Sequence, residues 1–276
     1  PFIIYSAITG ESVAKLFIGG IVPGLVLAFM LSAYVFFRVL ISPELAPRSA
    51  ELQFTWRERW ASLARVWHTG VLIFLVLGSI YLGVATPTEA SALGAIGAFL
   101  IAGLVYGNMN YRRIVQIIRE SMMISVAILL IMGCGKIFGD YLNMVRVPEQ
   151  VTNFFMDLHM PSLVMVLLIQ GILIIGGMFV DAGSLMVITT PVFLPLIKAM
   201  GYDPLWYGIV LVINLELAVV TPPVGLNLYT LRSCCPVLTL EEIIKSSFPF
   251  LLIQLACLII FSVYPPLSLW LPNLIK

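Results

Sequence analysis

The chain alternates long apolar runs with short polar breaks, and most of the runs have the length of a membrane span. A span needs about 20 apolar residues, fewer for a segment that enters and leaves on one side. Leu16 to Ile41 is the first such run. Ser42 to His68 is polar and carries Arg48, Arg57, Arg59 and Arg65 among Trp56, Trp60 and Trp67. From Thr55 onward that mixture predicts an amphipathic helix in the headgroup plane, with a plain linker as the other reading. Gly70 to Val84 and Ala90 to Tyr106 flank the turn Thr86-Pro87-Thr88-Glu89, and a short basic piece, Tyr111 to Arg119, leads into Ser121 to Met144. Val147 to Met160 is too short and too charged to span.

The pattern then changes. Pro161 to Gly176 and Ala182 to Met200 are apolar on either side of a segment running from Gly176 to Ser184 that holds Asp181. Glycines and an acid in the middle of such a stretch predict the tip of a re-entrant hairpin, although two ordinary spans with a surface turn would give the same pattern. Leu205 to Val220 is interrupted by Thr221-Pro222-Pro223-Val224-Gly225 before Leu226 to Cys235 resumes. Adjacent prolines withhold two backbone donors, so the helix must unwind there. Ser247 to Tyr264 is the last span, followed by an amphipathic tail with Trp270.

Composition agrees with a lipid environment. The 276 residues are 61% hydrophobic and 11% charged, with a mean hydropathy of +1.06, against roughly 25% charged in soluble domains. A net charge of +1 implies no nucleic-acid partner. Pro1 in place of Met, with no charged leader, predicts a piece of a longer protein. If Ser42 to His68 is cytoplasmic and each full span changes sides, ten basic residues fall inside and four outside (Lys15, Arg146, Lys198 and Lys276), with Lys136 inside a span; this is the positive-inside bias. Phe2-Ile3-Ile4-Tyr5-Ser6 followed by Pro23 echoes Leu226-Asn227-Leu228-Tyr229-Thr230 followed by Pro249. Under that topology the two copies run in opposite directions, as inverted repeats of secondary transporters do.

Candidate chemistry lies at the two breaks. Unwound helices at membrane depth leave carbonyls for a desolvated cation and half-helix ends for an anion. The side chains on offer are Asp181, Ser184, Thr221, Asn214 and Asn227, with Glu216 one turn before the break. An ionisable group at membrane depth is a functional candidate by default. Glu89 reads as a helix-capping acid, Asp203-Pro204 as a helix start, and Lys136 with Asp140 as an ion pair one turn apart. His68 and His159 lie near segment ends and read as interfacial, and the four cysteines carry no metal or disulfide pattern. No histidine within a span and no H-E-x-x-H motif argue against an intramembrane enzyme. No polar stripe or charged ring supports a passive channel.

Gly83-Val84-Ala85-Thr86-Pro87-Thr88-Glu89-Ala90, Gly177-Met178-Phe179-Val180-Asp181, Pro191-Val192-Phe193-Leu194-Pro195, Gly201-Tyr202-Asp203-Pro204 and Thr221-Pro222-Pro223-Val224-Gly225-Leu226-Asn227-Leu228, taken together, resemble the large membrane subunit of TRAP (tripartite ATP-independent periplasmic) transporters. The resemblance implies an all-α polytopic membrane protein built from inverted repeats, each with a re-entrant hairpin and a broken helix. It implies a multi-pass subunit of the bacterial inner membrane that imports a small carboxylate by an elevator movement driven by Na⁺. A periplasmic substrate-binding protein would deliver the solute, and a small membrane (Q) subunit would brace the large one. Residues 1–41 would end the first repeat, 42–69 would form the interfacial arm, and 70–276 would be the second repeat, with its hairpin over 161–200 and its broken helix over 205–236. Carried over onto this sequence, the cation site would comprise Gly177, Asp181, Thr221, Pro222 and Gly225, mostly through backbone oxygens, with Ser184, Asn214, Glu216 and Asn227 along the substrate path. Glu216 stands where the family leads one to expect a small or polar residue.

Overall fold

The structure, a computed structural model, describes residues 1–45, 55–107, 109–235 and 237–274. The middle of the expected arm with Arg48, the end of the expected broken helix at Pro236, and Lys276 lie outside the described residues. The chain forms an all-α polytopic membrane protein, and the described residues contain no strand. Among the described residues, five helical stretches are long and apolar enough to cross a bilayer, or six if one bent pair is counted as a span. The chain divides into two compact units, Pro1–Tyr34 with Val126–Lys276, and Val35–Ser125.

In chain order, α1 (Phe2–Thr9) ends where Gly10 takes the left-handed backbone that a residue without Cβ adopts freely. α2 (Val13–Gly19) begins at Ser12, whose hydroxyl accepts from the Lys15 amide, and α3 (Ile21–Ile41) continues the same span. α4 (Trp56–Arg65) has a capping box: Thr55 and Glu58 each accept from the other's backbone. This is the helix expected from Thr55 onward, and the Arg59 guanidinium lies 4.9 Å from the Trp56 ring centroid.

α5 (Trp67–Tyr81) and α6 (Pro87–Leu100) pack as a pair within the smaller unit. Gly94 and Gly97 allow the approach, since a Cβ on them would fall 2.8 Å from Val76 and 2.6 Å from Leu72. Thr86 and Glu89 form a second capping box, so Glu89 has the capping role expected of it. A π-helical turn, Ile101–Val105, follows. His68 is buried, and its Nε2 lies 2.6 Å from the Tyr106 hydroxyl, so this histidine packs inside its unit.

α7 (Tyr111–Met144) is one uninterrupted helix of 34 residues. The sequence reading divided it at Glu120, yet Arg119-Glu120-Ser121 contains no glycine or proline and nothing forces a break. The expected Lys136–Asp140 ion pair is not formed. Helical side chains lean toward the N-terminus, so a lysine preceding its acid by one turn leans away from it, and that order is the weaker one.

α8 (Val147–Asp157), α9 (Ser162–Gly177), α10 (Ala182–Ala199), α11 (Pro204–Ala218), α12 (Leu226–Cys234), α13 (Leu240–Val263) and α14 (Pro266–Leu274) complete the larger unit. Its core is the buried cluster around Trp206, Tyr207, Tyr5, Phe261, Ile169 and Leu211. α11 is central: α1, α2, α9, α10, α13 and α14 all pack on it. Gly208 leaves room for the Tyr5 ring, which a Cβ there would meet at 2.4 Å. The Tyr5 hydroxyl donates to the Pro204 carbonyl at 2.7 Å, and the Trp206 indole donates to Phe261 at 2.8 Å. The echo between the chain ends extends to structure. In each copy a short helix leads to a hydroxyl-capped long one, starting at Ser12 and at Thr239, that carries a proline within its first dozen residues.

Candidate functional site

Both interruptions form as breaks in helix. α9 stops at Gly177 and α10 starts at Ala182, so Met178 to Asp181 connects two antiparallel-compatible legs that pack on one another. Asp181 is the N-cap of α10, and its carboxylate accepts from the Ser184 amide at 2.9 Å. The group that stabilises this acid is thus a helix N-terminus. At the second break α11 ends at Ala218 and α12 starts after Gly225, whose positive φ of 49° turns the chain. Pro222 and Pro223, joined by a cis bond, offer no donors. The Thr221 hydroxyl donates to the Leu217 carbonyl at 2.7 Å, and the Asn227 amide reaches back to Val219 at 3.3 Å.

The two breaks meet. Gly177 at the end of α9 abuts Ala218 at the end of α11, where a Cβ on the glycine would lie 2.4 Å from the Ala218 Cβ. At this junction the carbonyls of Gly177 to Val180 and of Val220 to Val224 receive no hydrogen bond from the described residues. An unpaired carbonyl away from water is costly. Carbonyl oxygens freed in this way are ligands of the kind a hard cation takes readily.

The remaining expected site residues separate into groups. Gly225 and Pro222 belong to the second break beside Thr221. Ser184 faces α7, in an apolar hollow lined by Cys134, Phe138 and Ile188. Asn227 lies exposed at the start of α12. Glu216 is exposed on α11. Asn214 is fully buried, and its amide donates to both the backbone and the side-chain oxygen of Gln170 on α9, at 2.9 and 2.6 Å. It therefore ties α11 to α9 and does not line an open path. Gln170 itself escaped the sequence reading, although a single amide in an otherwise apolar span is the signal that finds such a residue.

A family model described as the tripartite ATP-independent periplasmic transporter, DctM component, matches residues 1–267. The chain belongs to this family. It is 33% identical over 272 residues to a C4-dicarboxylate TRAP transporter large permease protein of Pseudomonas aeruginosa, covering 98% of this chain and 62% of that protein. It is 31% identical over 275 residues to an isethionate TRAP transporter permease protein of Oleidesulfovibrio alaskensis, covering 98% of this chain and 42% of the relative. A sialic acid TRAP transporter large permease protein of Vibrio cholerae is 27% identical over 276 residues, covering 99% and 63%. The chain spans about three fifths of the length of most of these TRAP permeases. The relatives are named for transport and not for catalysis, in keeping with the sequence reading that this is no enzyme.

Proposed function

We propose that this chain is the membrane-embedded part of a Na⁺-coupled importer of a small organic acid, working in the bacterial inner membrane with a periplasmic substrate-binding protein and a small membrane subunit. The observation that carries the reading is the contact of Gly177 with Ala218, which joins the helix ends beside two breaks whose carbonyls receive no hydrogen bond from the described residues. A sodium ion there would draw on the backbone oxygens of Gly177, Thr221 and Pro222. Asp181 supplies negative charge at the tip, and Gly225 sets the turn that brings the second break into place. The ion would replace the missing hydrogen bonds, so its binding would stabilise the closed junction, and the sodium gradient would thereby drive the solute cycle. Ser184, Glu216 and Asn227 border the solute's route in this reading.

Three of the relatives are named for C4-dicarboxylate, isethionate and sialic acid, which are anionic solutes, and this supports an organic acid as cargo. The α9–α10 hairpin is read as re-entrant and the two ends of the chain as inverted copies, an arrangement that permits an elevator displacement. The test is uptake of radiolabelled carboxylates into proteoliposomes holding the full transporter with its binding protein. Uptake should collapse when a sodium ionophore dissipates the gradient; uptake that persists unchanged removes the coupling claim.

A further inference from the structure

A second feature of the larger unit has no role in the junction just described. Between α1, α7 and α10 lies a cavity of about 520 Å³, inside the range that holds small-molecule ligands. Its walls are mostly apolar, but Lys136 and Asp140 of α7 face into its lining, one turn apart and not paired with each other. Across from them Thr190 of α10 is fully buried, and its hydroxyl has no partner. The neighbouring Thr189 shows the usual solution, donating to the Leu185 carbonyl at 2.7 Å; Thr190 does not make the equivalent bond. Pro191 and Pro195 also line the cavity and have no N–H to offer the carbonyls one turn earlier, those of Val187 and Pro191 itself, so this wall is rich in acceptors.

We infer that this cavity is a solute site for a small monocarboxylate that also carries hydroxyl groups, with Lys136 holding the carboxylate and Asp140, Thr190 and the α10 carbonyls receiving or sharing the hydroxyls. The inference rests on the proposed transport function and narrows its cargo. One cation and one anion face the cavity, so a single carboxylate is balanced by Lys136. A second carboxylate on the same solute would come against Asp140 and the acceptor-rich wall, where Asn143 and Thr190 offer neutral donors but no second cation balances its charge. An acid lacking hydroxyls would leave Asp140, Thr190 and the freed carbonyls without partners, which is the arrangement that rejects an analogue most strongly.

The experiment is equilibrium binding to the purified large subunit with its small membrane subunit, in saturating NaCl. The probes are radiolabelled glycerate, threonate and gluconate, competed by unlabelled succinate and hexanoate. At least one hydroxy acid should bind saturably, and succinate and hexanoate should compete at least tenfold more weakly. Lys136→Met should weaken hydroxy-acid binding more than tenfold while Lys136→Arg keeps it within about threefold, so that a folding defect is separated from a lost charge. Thr190→Val should weaken it severalfold, and Asp140→Asn should close part of the gap to succinate. The inference is overturned if no hydroxy acid binds, if succinate or hexanoate competes equally well, or if Lys136→Met binds as the wild type does. Replacing sodium by choline in the same assay tests the ion site separately. Binding that ignores sodium but needs Lys136 removes the sodium reading and leaves this one. Sodium dependence without any effect at Lys136 does the reverse.

Discussion

Gly177 and Ala218 lie so close that a β-carbon on the glycine would fall 2.4 Å from the β-carbon of the alanine. They are the last residues of α9 and α11, so the contact pins together the points where two helices stop. Each break taken alone is a stretch of backbone with unmet carbonyls. Joined, the two breaks start from one contact, and only a residue without a side chain permits the join.

Gly177→Ala should therefore force the two helix ends apart. An overpacked core position costs about 1–3 kcal/mol, to be read as a lower thermal midpoint in detergent together with a weakened sodium response. Ala218→Gly removes the opposing methyl and should restore much of both in the double variant. A double variant no better than Gly177→Ala would show that the contact is not what matters there.

Asp181 carries a cap and a charge, and two substitutions separate them. Asp181→Asn keeps an oxygen to accept from Ser184 and should retain stability, whereas Asp181→Ala should lose about 1 kcal/mol. Both remove the charge, and both should weaken sodium-dependent uptake severalfold. Full sodium response in Asp181→Asn would confine this residue to capping α10.

The Asn214–Gln170 tie predicts an asymmetry in thermal stability. Asn214→Leu alone strands the buried side-chain oxygen of Gln170 and should cost about 1–3 kcal/mol. Replacing both residues with leucine leaves no orphan and should cost less than the single change. A double-variant cycle in detergent measures the coupling; strictly additive losses would contradict a direct bond.

The cap of α4 gives a pH dependence outside the spans. The Thr55 amide and then its hydroxyl donate to the Glu58 carboxylate, holding its pKa below the ordinary 4.5. A depressed carboxylate contributes its stabilisation above the unfolded value and loses it as pH falls through the folded one. The first turn of α4 should thus stay protected at neutral pH and open under acid conditions below 4.5. Hydrogen exchange of the 56–65 peptide checks this against Glu58→Gln at each pH. The variant's protection should not change over that acid range.

Much of the fold was legible because apolar run length reports a span, and proline and glycine report its interruption. The breaks at Gly176 to Ser184 and Thr221 to Gly225, and the capping acid at Glu89, follow from local chemistry that any sequence carries in plain sight. What was not legible depends on direction and distance. The Lys136–Asp140 pair fails because side chains lean one way along a helix, which spacing alone does not encode. The tie from Asn214 to Gln170 escapes notice because nothing in the neighbours of either residue reveals a partner 44 positions away. α7 was divided because a run of charge between two apolar stretches looks like an edge, although the backbone has no reason to stop.

The Tyr5 hydroxyl and the Pro204 carbonyl it bonds are 199 residues apart. At ribosomal speeds of 5–20 residues per second, roughly 10–40 s pass between the synthesis of the donor and that of its acceptor. Throughout that interval α1 is in place beside a half-made neighbour, with its tyrosine still lacking the cleft that Gly208 provides. The centre of the larger unit is thus the last part to close. A ribosome stalled before α11 would leave in the bilayer a set of helices whose shared middle does not yet exist.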